Sequence, residues 1–187
     1  MAPKVVVGFF LASALAGASP ASGQLQERAH DGFWISFGVG GGRNYNKDLD
    51  GADLNGGGAY IRLGGTPSEQ LLLGAELIGW SRNENGGTLG RGNVTFTAMF
   101  YPARHGDFFL KAGVGGSSMQ ISSSFGGGTV TQSQNGSGET FGAGLDLRMG
   151  GNLYLTPNVD LLFQQVSNAG TTTHNTIGLV TIGLTWH

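Results

Sequence analysis

From Phe33 to Gly40 the chain alternates between two kinds of side chain. Phe33, Ile35, Phe37 and Val39 share one parity; Trp34, Ser36, Gly38 and Gly40 share the other. A period of two is the signature of a strand, because successive side chains point to opposite faces. The split recurs along the chain. Ala59, Ile61 and Leu63 oppose Tyr60, Arg62 and Gly64; Val94, Phe96, Ala98 and Phe100 oppose Thr95, Thr97, Met99 and Tyr101. Phe141, Ala143, Leu145 and Leu147 oppose Gly142, Gly144, Asp146 and Arg148. Similar runs start at Leu71, Phe108, Leu153 and Leu179, which makes eight candidate strands. The glycine run after Val39 does not suit a phosphate loop. The third glycine of G-x-G-x-x-G would fall on Arg43, and no helical periodicity follows.

Charge decides which face is inside. Every strand charge shares a face with the glycines, and the bulky apolar face carries none. Glycine weakens a strand and gains nothing on a water-facing surface. A narrow eight-stranded barrel needs small residues in its crowded interior. The glycine-and-charge face is therefore predicted to line the lumen, and the apolar face to look outward into lipid. A Lys or Arg on that outer face would cost about 2–4 kcal/mol at the bilayer midplane. Arginine at Ser36, on the inner face, is expected to be milder than arginine at Phe37. The fold class read from this is all-β: an eight-stranded antiparallel transmembrane β-barrel.

The first residues read as an export signal. Lys4 precedes the apolar run "VVVGFFLASAL", and "AGASPASG" supplies small residues for cleavage. The expected division is a cleavable signal peptide over 1–23, a periplasmic linker over 24–31 and the barrel over 32–187. The 187 residues contain no cysteine, which removes disulfides, thiol catalysis and thiolate metal sites. A formal net charge of −2 gives no reason to expect nucleic acid as a partner. Polar segments over 43–56, 82–92, 120–138 and 164–175 are expected as outer loops. They alternate with short turns, which places both termini in the periplasm. Pro67 and Pro102 are expected in turns, and Pro157 at a bulge.

The signal peptide, the eight amphipathic strands and the last strand "GLVTIGLTWH" resemble the small outer-membrane β-barrel proteins of the outer membrane protein A and X type. "FYPARHGDFFLKAGVG" and "LYLTPNVDLLFQ" are similar to hairpins of such barrels. The resemblance implies a monomer in the cell outer membrane. Its partners would be outer-membrane lipids, lipopolysaccharide and, during biogenesis, the barrel assembly machinery. No cofactor is implied.

Three groups of residues are candidates for function. Arg62, Lys111 and Arg148 are predicted to neutralise Glu76, Asp146 and Asp160 in the lumen, because buried charges need partners. Phe33, Phe100, Tyr101, Phe108, Tyr154 and Trp186 are expected to form an interfacial aromatic girdle. "NKDLDGADLNGG" spaces Asn46, Asp48 and Asp50 as a calcium loop would, but Gly57 stands where the bidentate glutamate belongs. His30, His105 and His187 are expected as scattered periplasmic histidines without metal spacing. "FQQVSNAG" resembles the H-x-S-N stretch of lipid A deacylases, which implies Ser167 as nucleophile. Gln165 takes the place of the histidine, so His174 would have to serve as base, oriented by Glu139 or Asp53. The sequence therefore favours a non-enzymatic barrel with a plugged lumen and a structural or surface-interaction role through its outer loops. The alternatives are a narrow pore for small or apolar solutes and a lipid A deacylase-like hydrolase.

Overall fold

The computed structural model describes residues 32–46, 54–84, 87–104, 106–125, 128–168 and 171–187. All regular structure among them is strand. The strands are β1 Gly32–Asn46, β2 Leu54–Ser68, β3 Leu71–Glu84, β4 Gly87–Phe100, β5 Phe108–Phe125, β6 Gly128–Leu145, β7 Leu147–Gly150, β8 Leu153–Asn168 and β9 Thr171–Trp186. Each pairs antiparallel with its neighbours; β1 pairs β9, and β6 pairs β8. The sheet is therefore closed. From Asn44 the pairing row passes through Ile177, Leu162, Thr140, Gly113, Thr97, Gly74 and Gly64. It returns to β1 at Trp34, ten residues from its start. That stagger is what closure of tilted strands requires.

β6 and β7 are two parts of one strand, so the barrel has eight. Gly144 pairs Asn158 and Leu147 pairs Leu155, with no slip between them. The break at Asp146 follows Leu145, which that register sets opposite Pro157, whose nitrogen has no hydrogen to give the ladder. The bulge expected at Pro157 is thus absent. The irregularity in this pairing falls instead between Arg148 and Gly150, beside the Gly151–Asn152 turn. Gly151 has φ +54°, a conformation in which glycine is favoured. Pro67 is not in a turn either. It is the next-to-last residue of β2, within a register shift between Gly65 and Ser68, and the turn is Glu69–Gln70. Pro102 does lie in the bend between β4 and β5.

The described residues of the expected outer loops are strand. Pairing continues to Asn44–Leu54, Glu84–Gly87, Phe125–Gly128 and Asn168–Thr171. Long hairpins rise at that end, and short turns close the other. The signal peptide, the linker, Asp48, Asp50, Asp53, His30 and His105 lie outside the described residues.

The two faces divide as the alternation predicts. Phe37, Val94, Phe96, Val114, Val180 and Ile182 point outward and are all more than half exposed. Arg62, Glu76, Lys111 and Asp160 point inward and are buried. The inner glycines leave space that other groups fill. A Cβ on Gly142 would lie 2.1 Å from Asp160 Oδ1, and one on Gly183 2.1 Å from the Tyr60 hydroxyl. On the outer face, a Cβ on Gly57 would meet nothing within 4 Å. Gly142→Ala is therefore expected to cost about 1–3 kcal/mol by overpacking. Gly57→Ala should cost nothing, and urea unfolding in lipid vesicles would compare the two.

Candidate functional site

The barrel interior is built in layers. At the short-turn end, Trp34, Leu72, Met99, Tyr101 and Phe109 form an apolar cluster. Further along the strands, Tyr60, Ile78, Trp80, Leu162, Ile177 and Leu179 form a second one. Charge lies between them. On β3 the inward order is Leu72, Gly74, Glu76, Ile78, Trp80; on β8 it is Tyr154, Thr156, Asn158, Asp160, Leu162.

Four charges form the middle layer. Arg62 Nε donates to Glu76 Oε1, and Arg62 Nη2 to Asp160 Oδ2 at 3.0 Å. Lys111 Nζ reaches Glu76 Oε1 and lies 2.8 Å from Asp160 Oδ1. Two cations thus face two carboxylates from β2, β3, β5 and β8, and all four side chains are 0–1% exposed. Arg62 Nη1 also donates to Asn158 Oδ1 at 3.2 Å, and its guanidinium stacks 3.8 Å over the Tyr60 ring. At this depth such a quartet persists only if each charge is matched.

Asp146 and Arg148 do not join it. Asp146 lies at the short-turn end, accepting from the Tyr101 hydroxyl at 2.5 Å and from Thr156 Oγ1 at 2.7 Å. His187 Nε2 is 3.7 Å from its Oδ2. Arg148 is exposed and donates through Nε to Gly151 O at 3.0 Å. Arg148 still pairs with the inward Tyr154, but at the last step before the turn, where it is open to solvent. Hydroxyls link the two acidic sites: Thr156 contacts Thr185, which donates to Ser36, which contacts Tyr60.

The aromatic set divides in the same way. Phe33, Phe100, Phe108 and Trp186 are outward and exposed at the short-turn end. Tyr101 and Tyr154 turn inward and are buried, at 0% and 5%. The Tyr101 hydroxyl satisfies Asp146, and Tyr154 packs edge-on against the His187 ring at 5.1 Å. His187 is thus a buried residue of the barrel floor rather than a solvated one.

The enzymatic candidates are on the outer face. Ser167 is exposed, and its Oγ lies 3.1 Å from the Thr172 hydroxyl. His174 pairs across from Gln165, one outward position away from the Ser167–Thr172 pair. His174, Gln165 and Glu139 line a shared outward depression that Ser167 does not line. Of the calcium-type residues, Asn46 ends β1 and Asp48 and Asp50 are outside the described residues. No group of three or more metal-ligating acids or histidines occurs among the described residues.

One inward charge escapes the sequence reading. Arg91 is buried at the long-hairpin end, paired across from Trp80 and Met119. The segment 82–92 looks like a loop because both its faces are polar. Parity counted back from Thr97 and Thr95 through Asn93 would have placed Arg91 inside.

A closed eight-stranded antiparallel barrel with an apolar outer face and a charged, filled interior has the fold of the small outer-membrane β-barrels. No family model matches the chain, and no curated protein matches it. Solved structures do. Neisserial surface protein A is similar at TM-score 0.60 and 13% identity, over 82% of this chain and 96% of that one. Ail, the attachment invasion locus protein of Yersinia pestis, is similar at TM-score 0.57 and 14% identity, over 83% and 98%. Ail in complex with the heparin analogue sucrose octasulfate gives TM-score 0.58 and 18% identity over the same shares. At these identities the likeness is one of fold.

Proposed function

We propose that the chain is a non-enzymatic outer-membrane protein whose lumen is plugged and whose long hairpins serve a structural or surface-interaction role. On this reading residues 1–23 are a cleaved signal peptide and 24–31 a periplasmic linker, and both termini are periplasmic. The barrel is a monomer in contact with outer-membrane lipids and lipopolysaccharide. The barrel assembly machinery would insert it. The observation that carries the plug is the neutral quartet of Arg62, Glu76, Lys111 and Asp160 held between two apolar clusters. An ion crossing the barrel would have to displace both clusters and break matched charges. The surface role is supported by hairpins that rise on paired backbone with polar side chains on both faces. Ail, which shares the fold, bears a name that describes attachment and invasion.

The mature protein in planar bilayers should show no steady conductance. Stable, stepwise channels would favour the narrow pore instead. The hydrolase alternative finds little in the geometry, since the hydroxyl nearest Ser167 Oγ belongs to Thr172 and a hydroxyl is no general base. Ser167→Ala and His174→Ala should leave the lipid A profile of expressing cells as wild type leaves it. Deacylated lipid A made by wild type and lost in both variants would establish the enzyme.

A further inference from the structure

Of the eleven buried side-chain polar atoms without a hydrogen-bond partner among the described residues, seven gather on one layer of the lumen. Arg91 is 6% exposed, and its Nε and Nη1 have no hydrogen-bond partner. It is the one buried Arg, Lys, Asp or Glu among the described residues without an opposite charge or a hydrogen bond. Ser117 Oγ, Asn44 Oδ1, Gln164 Oε1 and both amide atoms of Asn175 are unpartnered as well. These residues come from five strands, and the pairing brings them around one ring. Ser117 pairs with Asn93, the next inward residue to Arg91 on β4. Gln164 reaches across the lumen from β8, so that its Nε2 donates to Gly92 O at 3.0 Å and to Asn93 Oδ1 at 2.8 Å. Its free Oε1 is therefore on the Arg91 side of the barrel. Asn175 pairs with Gln164, and Asn44 pairs with Ile177, the next inward residue on β9. On β8 the inward order Asp160, Leu162, Gln164 sets this ring beyond the second apolar cluster, away from the quartet. It lies just inside the long-hairpin mouth, where β1 ends at Asn46 and β2 begins at Leu54.

We propose that this ring binds a small oxyanion that still carries a hydroxyl, such as hydrogen phosphate or a hydroxycarboxylate. A buried guanidinium without a counter-charge is costly, and an anion removes that cost. The inventory of unpartnered atoms narrows the class. The Arg91 nitrogens, Ser117 Oγ and Asn175 Nδ2 can donate, which suits oxyanion oxygens. Asn44 Oδ1 and Gln164 Oε1 can only accept, so the ligand must also donate. Hydrogen phosphate does both, and sulfate does not. The plug lies on the far side of the second apolar cluster, so the site is blind-ended and fills from the long-hairpin mouth.

The test is titration of the mature, refolded full chain in micelles with inorganic phosphate, read by tryptophan emission and by calorimetry. Trp80, the cross-strand partner of Arg91, is the reporter. Phosphate should give a saturable change that chloride at equal ionic strength does not give, and sulfate should bind more weakly. Arg91→Gln should weaken phosphate binding by about tenfold to a hundredfold, the usual worth of a charge-assisted hydrogen bond. Ser117→Ala should weaken it by less. Far-ultraviolet circular dichroism and heat-shifted gel mobility check that each variant folds. If Arg91→Gln does not fold, Ser117→Ala and the phosphate-against-sulfate comparison in wild type decide the matter. No saturable phosphate signal in wild type, equal binding of sulfate, or unchanged affinity in folded Arg91→Gln would each overturn the proposal.

Discussion

Replacing Arg62 by leucine is expected to lower the unfolding free energy by about 3–5 kcal/mol, the cost of stranding a buried partner charge. Arg62 touches both carboxylates of the quartet, and Lys111 alone would remain to balance Glu76 and Asp160. Asn158 would lose its donor, and Tyr60 the cation stacked on its ring. A second replacement, Asp160→Leu in the same chain, leaves the matched pair Lys111–Glu76 and should recover much of the loss. Urea unfolding in lipid vesicles measures both. A loss below about 1 kcal/mol for the single variant is what a well-hydrated pair would give, and it would mean that water reaches the quartet.

The outer face makes the other large prediction. Phe37 is 53% exposed on β1, paired with Ile61 and Leu184, which share its outward face. Phe37→Arg should cost about 2–4 kcal/mol if that face lies at the bilayer midplane. Gln165→Arg, beyond the apolar band on β8, should cost about 0–1 kcal/mol. Ser36→Arg is no mild control. Ser36 is fully buried, between Thr185 and the Tyr60 hydroxyl, and has no room for a guanidinium. Both arginines on β1 should therefore destabilise the barrel, one through lipid and one through overpacking. Equal tolerance of arginine at Phe37 and Gln165 would place Phe37 in water.

Parity made the strands legible wherever one face was bulky and apolar and the other was not. That covers the lower half of the barrel, and there the inward and outward sets agree with the structure except at the rim residue Arg148. It failed where the contrast fades. Above Val94, Val114 and Phe163 both faces turn polar, so continuous strands looked like loops and Arg91 was hidden in one. Large residues inside were also masked. Trp34, Ile78, Trp80 and Leu162 sit on the inward parity, but an apolar side chain there gives no signal of the packing around it. The charged quartet was legible because residues of like parity on paired strands share a face. Arg148 was misplaced because it keeps the inward parity at the rim, where the strand ends and solvent reaches it, and parity alone does not mark where the lumen stops. Tyr101 and Tyr154 were misplaced because an aromatic at a strand end suits an interface and a floor equally well. The partners that decide, Asp146 for the Tyr101 hydroxyl and the His187 ring for Tyr154, are remote in sequence.

The chain has no cysteine, so a single introduced cysteine carries a spin label at one known place. Labels at Val94, Val114 and Val180, each more than 60% exposed on the outer wall, give the most direct test of membrane immersion. In vesicles these three should collide freely with dissolved oxygen and be shielded from a water-soluble nickel complex. A label at Thr172, beyond the apolar band, should be open to nickel. Equal nickel access at Val180 and Thr172 would contradict a barrel whose apolar face is covered by lipid.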